Sequence, residues 1–201
     1  MARTPNIIEP GSVYHLIWRF VAREWFIQTH EERITYLLEL GTQIRRTSWR
    51  CFSYAIMSNH VHLGVLAGEE PVASWARAAH TNFALWMNGR HQRIGAVFVR
   101  GPNVIKLEPE RIAPSIAYIH CNPVRAGLVS DPAHSDWTSH RKYLGLTSLP
   151  SWVDVGLGLE LAGAQSATDL RNWFETGREA VVRGRPRKDL RRVGVASGCG
   201  A

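Results

Sequence analysis

Apolar and polar positions along the chain lay out a short series of strands and helices. Val13 to Phe20 (VYHLIWRF) is dense in β-branched and aromatic residues and predicts a first strand. Thr29 followed by Glu32 has the form of a capping box opening a helix, along which Ile34, Leu37, Leu38 and Ile44 recur at helical spacing. Trp49 to Met57 predicts a second strand, Ser58-Asn59 a polar break, and His60 to Leu66 a third strand, the two forming a hairpin. A second helix is expected from Pro71 to Asn88, with Val72, Trp75, Ala76, Ala79, Phe83 and Trp86 facing inward; Pro71 suits a first turn. Ile94 to Val99 reads as a fourth strand, which Asn103 to Leu107 extends or pairs with. A third helix is expected over Pro109 to Asn122, ended by Asn122-Pro123, with Pro114 interrupting its backbone bonding.

The order β-α-β-β-α-β implies an α+β fold: a ferredoxin-like antiparallel sheet with helices packed on one face, plus a short C-terminal basic extension. That fold serves many functions and decides none. The pattern weakens after Gly127, and the chain divides into a domain over 1–147 and an extension over 148–201. Within the extension, Asp169 to Val182 (DLRNWFETGREAVV) has the pattern of a short helix.

Composition narrows the class. The chain has 201 residues, 45% of them hydrophobic with eight Trp and six Phe, enough for a real core. Against 17 acidic residues stand 24 Lys and Arg, a formal charge of +7 that favours a polyanionic partner. The plain alternative is a basic soluble protein with no such partner. Cys51, Cys121 and Cys199 are scattered, without a CxxC pair, which argues against a disulfide framework or zinc knuckle and for a reducing cytoplasm. The N-terminus has no secretory pattern, and no apolar run approaches the roughly 20 residues of a membrane helix. A soluble, cytoplasmic, nucleoid-associated protein is expected, with no membrane partner.

Two segments carry chemistry. In SNHVHLGV (58–65), strand alternation turns His60 and His62 to one side and Val61, Leu63 and Val65 to the other. Two adjacent imidazoles are half of a metal site or simply a hydrogen-bonded surface pair. In IAYIHCNPVRAGLV (116–129), a helical projection makes Ile112, Ile116 and Ile119 the buried stripe. It sets Arg111, Ser115, Tyr118 and Asn122 on a neighbouring face within about 60° of one another. His120 points about 160° away and reads as structural. Tyr118 is a nucleophile or a core-edge tyrosine with a wet hydroxyl. Tyr14, Tyr36, Tyr54 and Tyr143 are accounted for by packing.

Together the segments resemble the HUH single-tyrosine transposases. YIHCNPVRAGLV, followed by SDWTSHRKYLG (135–145), is similar to the REP-associated tyrosine transposase branch, over roughly residues 10 to 145. The resemblance implies that His60 and His62 hold a divalent metal, Mg2+ or Mn2+, with Asn122 as third ligand and Tyr118 as the nucleophile. It implies a DNA endonuclease and transposase that nicks single-stranded, hairpin-forming repeats and transfers strands through a 5′-phosphotyrosine. Ser58 stands where the family often has Pro, and FVRGPNVIKLE (98–108) matches loosely. Monomer and homodimer are both compatible with the family.

Arg100, Lys106, Arg111 and Arg125, with Arg141 and Lys142, would border such a site as backbone contacts. Trp137 stacks on an unpaired base or belongs to the core. In the tail, Arg183, Arg185, Arg187 and Lys188 around Gly184 and Pro186 match an AT-hook pattern for minor-groove or phosphate binding, or are plainly solvated. The alternative function is a domesticated, non-catalytic DNA-binding protein or regulator of repeat elements. A metal hydrolase without a covalent step would need a water-activating carboxylate, and Glu69, Glu70, Glu108 and Glu110 lie off both motif faces.

Overall fold

The computed structural model describes residues 8–24 and 26–164. Strand β1 (Val13–Arg19) leads through α1 (His30–Ile44) to the hairpin β2 (Arg50–Ile56) and β3 (His60–Leu66). Helix α2 (Ala73–Arg90), β4 (Asn103–Lys106) and α3 (Pro109–His120) follow, then the short helices α4 (Asn122–Arg125), α5 (His140–Tyr143) and α6 (Val155–Leu161). The strands pair antiparallel in the order β2-β3-β1-β4, the ferredoxin-like arrangement that the element order predicts.

Strand alternation assigns the two faces of this sheet different work. Tyr14, Leu16 and Trp18 of β1, with Val61, Leu63 and Val65 of β3, pack against α1 and α2 in the larger core. Val13 and Phe52 face the other way, into a second cluster with Ile112, Ala113, Ile116 and Ala117 of α3 and Leu157 of α6. The two crossover helices thus share one face, while α3 closes the opposite one. A register shift between Cys51 and Ser53 frees β2 from strict alternation. Phe52 then enters the second cluster, and Ser53 bonds a residue of α3. Gly64 makes room for this, since a Cβ there would lie 2.7 and 2.9 Å from the Phe52 ring.

Helix α1 opens on the capping box that Thr29 and Glu32 predict: Thr29 Oγ1 accepts from the Glu32 N–H, and Glu32 accepts from the Thr29 N–H at 2.8 Å. The residues that recur along it at helical spacing are not all buried. Tyr36, Leu37, Leu40 and Ile44 are buried, whereas Ile34 is 39% and Leu38 64% exposed. Those two line an apolar groove of about 420 Å³ against Trp137, Leu146, Leu149 and Trp152. Helix α2 is shifted two residues later than expected at both ends, and its predicted face is buried except for Val72 and Trp86, which are half-buried.

The expected fourth strand is displaced. Residues 94–99 run beside the end of β1, held by Val21 N–H to Val97 O, Val99 N–H to Arg19 O and a single bridge at Phe98. The strand that joins the sheet is β4, because positive φ at Gly95 and Gly101 bends the chain before it can run straight. Pro114 does not break α3, which is continuous from Pro109 to His120. Packing continues across residue 147: Val153 bridges Cys51, and Leu157 and Ala162 join the second cluster. The possible helix over 169–182 and the basic tail residues Arg183, Arg185, Arg187 and Lys188 lie outside the described residues.

Filling the space beside Phe52 tests this account of the second face. Gly64→Ala is expected to cost about 1–3 kcal/mol of stability in urea denaturation; an unchanged midpoint would show that the ring has slack.

Candidate active site

The histidine motif sits where β3 passes beneath α3. His60 and His62 share the face that α3 covers, with ring centres 4.7 Å apart. The Tyr118 ring, carried by α3, lies 5.8 Å from that of His62. Of the five tyrosines, Tyr14, Tyr36, Tyr54 and Tyr143 are at most 3% exposed, and Tyr118 alone is partly open. Burial also pushes the hydroxyls of Tyr36, Tyr54 and Tyr143 well above the usual phenol range. Tyr118 is therefore the one tyrosine whose ring meets both the histidines and solvent.

A third histidine joins the pair. His15 on β1 places its Nε2 2.8 Å from Nδ1 of His62, and its ring lies 5.9 Å from that of Tyr118. The sequence held one clue: His15 alternates with Leu16 and Trp18, so it faces away from the main core. Only the strand pairing brings it beside His62. His60 is fixed by the residue before it in the turn, its Nδ1 lying 2.6 Å from Asn59 Oδ1. That oxygen only accepts, so His60 Nδ1 carries the hydrogen and Nε2 presents its lone pair. His62 Nε2 is buried with no hydrogen-bond partner.

Electrostatics keeps these rings neutral. Burial first, then the charge of His60, pushes His15 down to about 4. Burial and the nearby Arg19 push His60 down to about 4. Burial holds His62 well below the ordinary histidine range, reinforced by His60, His15, Arg19 and Arg125. Neutral imidazoles are the form that binds a cation.

The other expected site residues are distributed unevenly. Asn122 is not on the Tyr118 helix: α3 ends at His120, and Asn122 begins α4. Its Nδ2 donates to the carbonyls of Tyr118 (2.9 Å) and Ile119 (3.3 Å), capping α3 and leaving only Oδ1 for a cation. Arg125 stands over the Tyr118 ring, 4.8 Å from its centre. Arg111 and Arg100 are exposed. Lys106 pairs with Glu9, a surface interaction weak enough to exchange for phosphate. The Nζ of Lys142 donates to the carbonyls of Pro150 and Val153 at 2.8 Å, so this ammonium is held by the protein's own backbone. Arg141 pairs with Asp136 and donates to Ala133 O. Trp137 is half-buried against the main core, with Arg33 over its ring. His120, read as structural, is fully buried, with Nε2 2.7 Å from Ser139 Oγ and 3.3 Å from Ser53 Oγ. Arg19 escaped the sequence reading altogether. Among the described residues no group of three or more His, Cys, Asp or Glu is arranged as a metal site; the donors that lie near one another are the two imidazoles of the motif and the Asn122 carboxamide oxygen.

No protein-family model matches the chain, and no curated protein matches it in sequence. Solved structures do match. One is the structure of a REP-associated tyrosine transposase bound to a REP hairpin, with a TM-score of 0.61 at 11% identity over 77% of this chain and 90% of that one. The fold is that of a REP-associated tyrosine transposase. A Deinococcus radiodurans protein assigned as a transposase also matches, at a TM-score of 0.42 and 17% identity over 59% of this chain and 95% of that one. No helix among the described residues is long and apolar enough to cross a membrane.

The buried histidines give the transposase-like fold a defined response to acid. His80 is pushed to about 3 by burial, and His120 lies well below the ordinary value. In the unfolded chain each imidazole takes up a proton near pH 6.5, whereas the folded protein resists until far lower pH. The unfolded state then binds more protons, so stability is full above about 6.5 and is lost as pH falls towards about 4. Urea midpoints measured across that window should fall steadily; a flat profile would contradict neutral burial.

Proposed function

We propose that the chain nicks and rejoins single-stranded DNA through a covalent bond to Tyr118, beside a divalent cation, Mg2+ or Mn2+, held by His60 and His62. One observation carries this reading: the single accessible tyrosine stands against a pair of neutral histidines, one of which buries an unpartnered Nε2. That orphaned nitrogen fits a cation, since leaving it unsatisfied costs about 1–3 kcal/mol. The Oδ1 of Asn122 is the third donor at hand. The bound ion would supply polarisation of the scissile phosphate and offset charge on its oxygens.

The protein's own groups do the rest. The Tyr118 hydroxyl attacks phosphorus, a phenolic O–P bond forms, and the bond from phosphorus to the 3′-oxygen breaks. The phenol gives up its proton and the departing 3′-oxygen gains one, leaving a 5′-phosphotyrosine and a free 3′-hydroxyl. A second 3′-hydroxyl reverses the step and transfers the strand, without external energy because the ester is preserved. Arg125, stacked on the attacking ring, is placed to hold a phosphate oxygen. Exposed Arg100 and Arg111 extend the basic border. The similar structure holds a REP hairpin, which supports a hairpin-forming repeat as the substrate here.

Incubation of the protein with single-stranded hairpins and Mn2+, followed by denaturing electrophoresis, tests the nucleophile. Tyr118→Phe should lower adduct formation at least about 1,000-fold while hairpin binding persists; an undiminished adduct would assign the nucleophile elsewhere. Wild-type protein that binds hairpins without any adduct would favour a regulatory DNA-binding role.

The cation is tested separately. His60→Ala, His62→Ala and EDTA should each cut cleavage at least about 100-fold. Full cleavage in all three would remove the metal from the mechanism.

A further inference from the structure

The contact between His15 and His62 has a consequence beyond burial. An imidazole that binds a cation through Nε2 must carry its hydrogen on Nδ1, and something must hold that hydrogen. For His60 the holder is Asn59 Oδ1, on the same hairpin. For His62, Nδ1 lies 2.8 Å from His15 Nε2, which comes from a different strand.

The placement is built into the sheet. β1 and β3 pair so that Ile17 faces His62 and His15 faces Gly64. His15 is therefore the diagonal neighbour of His62, a separation long side chains can span. Gly64, directly across from His15, offers no side chain, and the Phe52 ring fills the space its Cβ would take. His15 is 4% exposed and His62 is 3% exposed, so water is a poor competitor for this bond.

Two proton arrangements satisfy the pair. If His62 carried its hydrogen on Nε2, Nδ1 would accept from His15 and a buried N–H would face the site unsatisfied. If the hydrogen is on Nδ1, His62 donates to His15, and Nε2 is left with a free lone pair. We propose that His15 is a positioning residue for the cation site: it accepts from His62 Nδ1–H and so fixes both the tautomer and the ring angle that aim Nε2. This rests on the metal reading of His60 and His62. An imidazole in this role adds no negative charge, unlike the carboxylate that often supports a ligating histidine, so it does not repel an approaching phosphate.

The test uses the full chain without DNA and reads Mn2+ affinity from the loss of the free-ion electron paramagnetic resonance signal. His15→Leu should weaken Mn2+ binding about 10- to 100-fold. His15→Gln, whose amide oxygen still accepts, should stay within about threefold of wild type, and His62→Ala sets the level of no site. Nitrogen-15 chemical shifts of the wild-type His62 ring provide a reading independent of any variant's folding, and should show the hydrogen on Nδ1. Wild-type affinity in His15→Leu, equal losses in the Leu and Gln variants, or a hydrogen on Nε2 of His62 would each overturn the proposal. If instead wild type and His62→Ala bind Mn2+ equally, it is the metal reading that fails.

Discussion

The arrangement of the site depends on the antiparallel register between β1 and β3. Because successive side chains on a strand point to opposite faces, a slip of one residue would carry His15 or the His60–His62 pair to the wrong side of the sheet. The register is fixed from the far face. Tyr14, Leu16 and Trp18 interleave with Val61, Leu63 and Val65 beneath α1 and α2, all at most 2% exposed. Burying each large side chain contributes about 1.5–3 kcal/mol. A slip by one position would expose that whole row, so the apolar core on one face aims the chemistry on the other.

The second constraint is that α3 lies over polar side chains that need partners, although Nε2 of His62 is left without one. Buried histidines without partners are costly, and here the sheet supplies partners: Asn59 for His60 and His15 for His62. Further along, His120 secures the helix end. It reaches Ser53 on the bulged stretch of β2 and Ser139 on the segment that lies along the edge of the same strand. That segment is itself fixed by Ile56 N–H to Trp137 O and Ser139 N–H to Tyr54 O. Asn122 then caps the helix by folding back on the Tyr118 and Ile119 carbonyls. Tyr118 thus sits in the last turn of a helix held on both sides, which fixes its ring relative to the histidines.

Local signals were legible in the sequence, and pairings were not. The capping box at Thr29 and Glu32, the β2–β3 hairpin and the shared face of His60 and His62 follow from spacing alone. The burial of Tyr14, Tyr36, Tyr54 and Tyr143 agrees with the packing roles expected of them on strands, the first helix and a late loop. His15 escaped notice because its relation to His62 spans 47 residues and exists only through strand register. Ile34 and Leu38 share helical spacing with Leu37 and Ile44 yet are exposed, because helical period gives a stripe but not which edge of it meets the sheet. Residues 94–99 looked like a strand by composition, yet positive φ at Gly95 within them and at Gly101 just beyond set where straight chain could run. The Asn122 side chain fell outside a simple helical projection because Pro123 ends α3 before it.

The balance of charge at the site bears on what completes it. Arg19 and Arg125 both act on His62, and the proposed ligands are neutral imidazoles and a carboxamide. On the proposed reading, a divalent cation held by neutral donors among arginines is under-compensated, in contrast to sites where carboxylates neutralise the ion. The missing negative charge is then the substrate's own. A phosphate arriving under Arg125 would be drawn both by the guanidinium and by the ion. Cation and nucleic acid should therefore strengthen each other's binding, as any two ligands with a favourable coupling must do reciprocally. On that reading the charge at the site is balanced only when DNA is present.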